Sequence, residues 1–498
     1  MKYHCYGKRF AILSRTLTLF TILTPVFAQA QSGDYEALSR RLALLEQRQA
    51  ALEAENQFLR KQIGRLTPAN SVASGTALIQ QASLPLAPPA QAPAARAAET
   101  PPQRVEFGGE VRWRPESRSS FNATTNVNTF VLQRARLNVR YRLSDRVSGL
   151  IQVQDARLWG QEASTASNES NVDLHQGYLQ VDRFLDPHMS LRLGRQELIY
   201  GRERLVGAFG WDNIGRSFDA VKLTASSPLV SSDFFFGRLN DRRNAGRGDG
   251  SQDLIGLYTR IGKSSAAYGV EPYVLYLRDG LATAGEQTTS RPAPTRIVTL
   301  GFRAFGGKTA GFGYDLENAY QFGQKGPDTH RAAALAAIGR YRFGGRRAPE
   351  LGFEYDFATG DANSKDGKSG EFNNLFPTNH PHYGYADYLG WRNMQDFKPY
   401  LSLALRANVR AEISYHRFLL VEKAGPWKNA GGTVLGFDPT GKLGTDLGHE
   451  IDLTVAFPLY EHLRLLPGYS LFLPGKFARG TQGSRASQFA YWQTVVTF

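Results

Sequence analysis

From Leu132 to Arg142 the chain reads LQRARLNVRYR, with arginine at 134, 136, 140 and 142 and apolar side chains at Val131, Ala135, Leu137, Val139 and Tyr141. Alternate residues of a strand face opposite sides of its sheet, so this segment has one apolar and one cationic face. A soluble sheet would turn the cationic face to water, but the rest of the chain argues otherwise. Comparable segments recur at VEFGGEVRWR and PELGFEYDF and near 147–159, 188–199, 252–262, 310–322, 409–421 and 446–457. About 18 of them, each roughly ten residues long, suit tilted strands that cross an outer membrane. Joints at 144–146, 184–187 and 307–309 are short, whereas those at 115–128, 160–171, 200–215, 279–293, 360–394 and 422–445 are long. Short turns at one end and long loops at the other define a transmembrane antiparallel β-barrel. The closing AYWQTVVTF places Trp492, Val496 and the terminal Phe498 on one parity, as a last barrel strand requires.

An outward arginine at mid-membrane costs roughly 2–4 kcal/mol, so the apolar parity must face lipid. Arg134, Arg136, Arg140 and Arg142 are therefore expected in the lumen, with Arg112, Arg114, Arg192 and Lys222 following the same rule. A barrel of this size holds an aqueous interior unless plugged, and a lumen lined with arginine and lysine favours anions. Each arginine taken singly has a second reading, a wall-to-wall ion pair with an inward acid such as Glu110 or Glu317. Parity breaks in SGLIQVQDARLW, where Ile151 and Val153 share a side with Asp155 and Arg157. A bulge, or a strand already above the membrane, would explain it.

The start of the chain has a different organisation. Lys2, Lys8, Arg9 and Arg15 surround a short apolar run, Leu17 to Val26, followed by AQA at 28–30. This pattern predicts a signal peptide over 1–30, cut after Ala30 or alternatively after Ala28. The only cysteine, Cys5, leaves with it, so disulfide and thiolate chemistry are not expected in the mature chain. The formal charge of +14 falls by these four bases to +10. An exported basic chain points to anionic solutes or polymers and not to nucleic acid. Within 31–66, Leu38, Leu45, Leu52, Leu59 and Leu66 recur every seventh residue, with Asn56 at the other seam position. That heptad predicts a periplasmic coiled-coil helix and self-association through 35–66. Residues 67–104, rich in Ala, Pro, Ser and Gln, read as a linker to the barrel over 105–498.

Chemistry-bearing motifs are sparse. GDANSKDG at 360–367 lacks the ligand spacing of a calcium loop and reads as turn chemistry. His380 and His382 lie near Asp387, with His416 distant, short of the three or four ligands a zinc site needs. No serine motif or phosphate-binding glycine loop supports catalysis, so no enzyme, cofactor or metal is expected. Tyr383, Tyr385, Tyr388 and Trp391 suggest an interfacial aromatic girdle or, alternatively, platforms for sugar rings.

Two long strings, LGRQELIYGRERLVGAFGWDNIGRSFDAVKL at 193–223 and FATGDANSKDGKSGEFNNLFPTNHPHYGYADYLGWRN at 357–393, resemble the alginate-export family of outer-membrane barrels, as do LGHEIDLTVAFPLY and GYSLFLPGKF. The resemblance spans 105–498 and implies an 18-stranded barrel whose basic lumen passes an anionic polysaccharide outward. Mapped onto this chain, it adds Arg195, Arg202, Arg204 and Arg216 around GWDN at the mouth, with Asp219 pairing with one of them. The leucine coil instead resembles those of some anion-selective porins. The expectation is a passive bacterial outer-membrane channel for anionic oligo- or polysaccharide. A small-anion porin for phosphate or carboxylates is the first alternative. A structural or adhesive barrel tethered by its coil is the second.

Overall fold

The computed structural model describes residues 104–121, 127–165, 171–241, 250–263, 267–287, 289–406 and 408–498. The stretches read from sequence as signal peptide and coiled coil, and nearly all of the stretch read as a linker, lie outside them. Eighteen strands form the barrel. In chain order they are β1 Arg104–Arg118, β2 Asn128–Arg142, β3 Val147–Leu158, β4 Val172–Asp182, β5 Met189–Gln196 and β6 Phe218–Ser226. Next come β7 Val230–Asn240, β8 Gln252–Ile261, β9 Gly269–Thr283, β10 Ala293–Gly307, β11 Gly311–Lys325 and β12 Asp328–Arg342. The last six are β13 Glu350–Ala358, β14 Met394–Arg406, β15 Val409–Leu419, β16 Asp446–Tyr460, β17 Leu463–Pro474 and β18 Ser487–Thr497.

Each strand pairs antiparallel with its chain neighbour, and β18 returns to β1 through the register Glu110↔Thr497 to Arg118↔Phe489. The terminal residue completes the seam. The Gly109 N–H donates to the Phe498 carbonyl at 2.9 Å, and the Phe498 N–H donates back to Gly109 at 3.2 Å. Closure leaves no unpaired edge, which lipid would not tolerate. Short turns such as 143–146, 308–310 and 461–462 occupy one end and mark the periplasmic side. Loop residues 159–165, 197–217, 359–393, 420–445 and 475–486 occupy the other, although β11 and β12 meet there through only 326–327. Among the described residues no helix is long and apolar enough to cross a membrane; the helix α1, Lys476–Thr481, belongs to the last long loop.

The outward parity is apolar, with Phe107, Leu137, Ile151, Val153, Leu193, Phe234, Leu300, Phe353 and Leu453 all exposed to the lipid side. In SGLIQVQDARLW, Asp155 and Arg157 stay on the outward parity of Ile151 and Val153, because the extra residue of the nearby irregularity, His175, belongs to β4. The β3–β4 register shifts between Gln152 and Val153, and the outward Asp155 and Arg157 neutralise one another at 2.5 Å. The inward parity is less uniformly polar than a water-filled interior would require. Phe235, Leu254, Leu275, Ala332 and Ala334 face inward and are buried with Leu205, Val206, Phe372, Tyr383 and Trp391 from loops 197–217 and 359–393. These two loops fold into the barrel and give its extracellular half a packed core. Burial against loop side chains, and not contact with lipid, explains apolar residues at those inward positions.

Candidate functional site

The predicted luminal arginines fall into two groups by height. Toward the extracellular end, Arg112, Arg114, Arg134 and Arg136 point at the turn 210–214 of loop 197–217. Arg112 donates to the carbonyls of Gly210 at 2.9 Å and Asp212 at 2.8 Å, and Arg134 reaches the same two at 3.3 and 3.2 Å. Arg114 donates to the Trp211 carbonyl at 2.6 Å and Arg136 to that of Ile214 at 3.0 Å. Wall carboxylates share the charge: Glu110 pairs with Arg134 at 2.6 Å, and Glu116 with Arg114 at 2.7 Å. Arg112, Arg114 and Arg134 are 2–4% exposed, so these guanidiniums brace the loop and are closed to solute. The wall-to-wall ion pair with Glu110, raised from sequence as an alternative, is present. The Trp211 ring lies between Arg114 and His380, 3.7 Å from each, so both of its faces are covered.

Toward the periplasmic end the same ladder is open. Arg140 and Arg142 are exposed, and neither has a hydrogen bond or ion pair among the described residues. With Arg104, Glu106, Ser148, Tyr178, Gln180 and Arg192 they line a cavity of about 360 Å³. Arg192 lies 4.4 Å over the Tyr178 ring and donates to Gln180 at 2.6 and 3.0 Å, which fixes its orientation without neutralising it. Glu106 pairs with Arg104 at 3.0 Å, so the cavity keeps a surplus of positive charge. Lys222 also faces inward, but Asp233 neutralises it at 3.0 Å.

Loop residues divide similarly. Arg204 is buried deep in the lumen, paired with Glu354 and, at 2.9 Å, with Asp356, and donating to the Tyr383 hydroxyl at 2.8 Å. Lys398 assists Glu354 at 3.5 Å. Arg216 donates to the carbonyls of Gly207 at 3.1 Å, Phe376 at 2.5 Å and Pro377 at 2.9 Å, fastening one infolded loop to the other. Burial, with Asp212 and Glu203 only partly offsetting it, pulls the Arg216 guanidinium down to about 10, still charged at neutral pH. The loops also share a backbone bridge at Val206 and Phe376. Thr378 donates to Glu203 at 2.6 Å. Arg202 lies 3.8 Å from Asp315. Arg195 and Asp219 do pair, at 3.3 Å, but they sit on β5 and β6 at the outward parity of Leu193 and Val221 and not at the mouth.

Two sequence expectations need adjustment. Tyr383 and Trp391 are fully buried in the luminal core, and Tyr388 packs 4.6 Å from Phe121, so this aromatic group is neither a membrane girdle nor an open sugar platform. Their chain separation from the strands they cover hid that packing. The lumen is also not uniformly basic. Glu271, Asp315, Glu317, Glu350, Glu354, Asp356 and Glu412 stand on the inward parity of β9 to β15, partly answered by Arg303, which binds Asp315 at 2.6 Å and Glu271 at 2.9 Å. The parity rule that places the arginines inward places these acids there as well, as expected for Glu317. The histidines have protein partners: His380 with Asp387 at 3.0 Å, His382 with the Arg202 carbonyl at 2.8 Å, and His416 between Asp396 and Asp452 at 2.6 and 3.3 Å. Among the described residues no group of three metal-ligating side chains occurs. In loop 360–367, Asp361 and Asp366 accept from the N–H groups of Asn363 at 3.1 Å and Lys368 at 2.9 Å, the turn role expected of them.

A closed antiparallel barrel with apolar exterior, infolded loops and a charged interior is an outer-membrane channel. Residues 103–491 match the Alginate export family, and the chain belongs to that family. Solved structures share the fold at low identity. The outer membrane protein OprD from Pseudomonas aeruginosa aligns with TM-score 0.53 and 10% identity, over 80% of this chain and 96% of its own. Acinetobacter baumannii OccAB4 gives 0.52 and 10%, over 81% and 100%. Pseudomonas aeruginosa OccK11 (OpdR) gives 0.51 and 11%, over 80% and 96%. No match was found among curated proteins. Family and fold are those of passive channels of the bacterial outer membrane and not of enzymes.

Proposed function

We propose that this channel passes anionic oligo- or polysaccharide, and that the open cluster of Arg140, Arg142, Arg192 and Arg104 is its selectivity element. The observation that carries this reading is the contrast in partners. Arg140 and Arg142 are exposed luminal cations that nothing among the described residues neutralises, on the ladder whose upper members are all engaged. A planar guanidinium matches a carboxylate through two parallel hydrogen bonds. Several such groups at one level bind a polyuronate weakly enough to let it advance and leave. The braced loops above keep the passage narrow, and the acids on the facing wall hold a polyanion against the basic side. Self-association through 35–66 would place several pores side by side.

The cavity of about 360 Å³ favours a second reading, a porin for small anions such as phosphate or single carboxylates. Current recordings of the mature protein in a planar bilayer separate the two. Transient block by micromolar oligouronates, strengthening with chain length and absent with the monosaccharide, supports polymer passage. Block by monosaccharide and oligomer alike supports the small-anion porin. Indifference to both would overturn the cargo assignment.

A further inference from the structure

Segment 380–387, HPHYGYAD, belongs to the infolded part of loop 359–393, and ionisable groups hold most of it in place. Lys398 donates to the Pro381 and His382 carbonyls, at 3.4 Å each. The Tyr385 and Ala386 amides donate to Asp452 at 3.3 Å and to Glu450 at 2.9 Å. His382 itself is held by a bond that fixes its charge state. It is buried, with Nε2 lying 2.8 Å from the Arg202 carbonyl. A carbonyl only accepts, so Nε2 carries the proton. The other ring nitrogen, Nδ1, is buried and meets no partner among the described residues. The imidazole is therefore the neutral tautomer, and no acceptor stands ready for a second proton.

The surrounding charges disfavour that proton as well. Arg202 and Arg204 face the ring from loop 197–217, Glu354 from β13 and Lys398 from β14. Glu354 is the one carboxylate of these four, and Arg204 and Lys398 already share it. The acids nearby have cations of their own. Asp315 lies 3.8 Å from Arg202, Asp356 is bound by Arg204 at 2.9 Å, and Asp396 is bound by His416 at 2.6 Å. Burial, then Arg204 and Arg202, hold the imidazole well below the ordinary histidine range, and Glu354 only partly offsets them. A cavity of about 160 Å³, lined by Arg202, Glu354, Pro381, Lys398 and Glu412, adjoins the segment at Pro381.

We propose that His382 is a proton-operated latch: segment 380–387 stays docked while the ring is neutral and leaves the lumen when acid adds the second proton. An imidazole in water takes that proton at about 6.5, whereas the docked one resists it. The docked state is thus fully favoured above about 6.5 and loses ground as pH falls below that value. Between pH 7 and pH 5 the equilibrium should move about twenty-five-fold toward release. Release gives up the Tyr385 and Ala386 contacts with the ring and widens the extracellular half of the channel. The latch is independent of which anion crosses the lumen.

The test is single-channel recording of the mature protein in a planar bilayer, stepped from neutral pH to about pH 5 and back. Acid should reversibly raise the occupancy of a larger conductance level. His382→Gln keeps a donor for the Arg202 carbonyl but takes no second proton, and it should hold the neutral-pH level throughout. His382→Lys brings the charge at every pH and should show the larger level already at neutral pH. Heat-modifiable gel mobility confirms closure of both variant barrels, and the pH steps on the unaltered protein need no variant to fold. Native conductance levels that ignore pH, an acid response that survives at full size in His382→Gln, or a larger level that appears as pH rises would each overturn the proposal.

Discussion

Arg112 on β1 and Arg134 on β2 at one height, and Arg140 and Arg142 on β2 at the other, obey the same parity, yet their surroundings have little in common. The upper pair is buried and donates to the carbonyls of Gly210 and Asp212. The lower pair is exposed and has no partner among the described residues. A buried guanidinium that satisfies loop carbonyls is a brace, because losing it strands polar groups in a dry core. An exposed one contributes little to stability and keeps its full charge for solute. Strand periodicity says only that a cation faces the lumen. What fills the lumen at that height decides what the cation does.

The comparison breaks most visibly at Arg204. Replacing it with Met leaves Glu354 and Asp356 buried opposite a missing charge, at a cost of about 3–5 kcal/mol. Protease should then cut within loop 197–217 while the barrel retains its heat-modifiable mobility; resistance equal to wild type would show that Arg204 does not hold the loop. A smaller effect of the same sign is expected for Arg112→Ala/Arg134→Ala. Charge-assisted hydrogen bonds are worth roughly 1.5–3 kcal/mol each. Loosening of the 210–214 turn should raise mean conductance and its noise. If current traces stay quiet, the upper set is not a brace.

Arg140→Ala/Arg142→Ala sharpens the contrast from the other side. Thermal stability should change by no more than about 0.5 kcal/mol, as for surface sites, while chloride selectivity falls. The smallest effect concerns pH and lies outside the lumen. Burial, and then the neighbouring Asp361 and Asp328 carboxylates, push Glu286 in loop 284–292 up to about 7. The folded state then binds the proton more tightly than the unfolded chain, so the contact of Glu286 with loop 359–393 is firmest below the ordinary glutamate range. It weakens as pH rises through about 7. Hydrogen exchange in 284–287 should accelerate over that interval, and Glu286→Gln should flatten the profile.

Much of the fold was legible because a barrel repeats one local rule. Period-two alternation gave the lipid face, turn length gave the sidedness, and Phe498 gave the closing strand. The same rule placed Arg112, Arg114, Arg134, Arg136, Arg140, Arg142, Arg192 and Lys222 inward. It could not say that the upper four are occupied, because their acceptors are backbone carbonyls far along the chain: 98 positions from Arg112 to Gly210, 97 from Arg114 to Trp211, 76 from Arg134 to Gly210 and 78 from Arg136 to Ile214. A carbonyl has no sequence signature. For the same reason Tyr383 and Trp391 looked like surface aromatics, and Arg195 and Asp219, only a few residues from a genuine loop, looked like part of it. The facing wall of acids follows the same parity, and one of its members, Glu317, is already expected inward from sequence. The coil at 35–66 lies outside the described residues.

The most direct measurement is the reversal potential of the mature protein under a potassium chloride gradient, compared with Arg140→Ala/Arg142→Ala. The expected result is a clear anion preference that the double variant loses while its unitary conductance and thermal stability stay close to wild type. Cation preference in the native channel, or a variant as anion-selective as wild type, would contradict the assignment of the open arginines as the selectivity element.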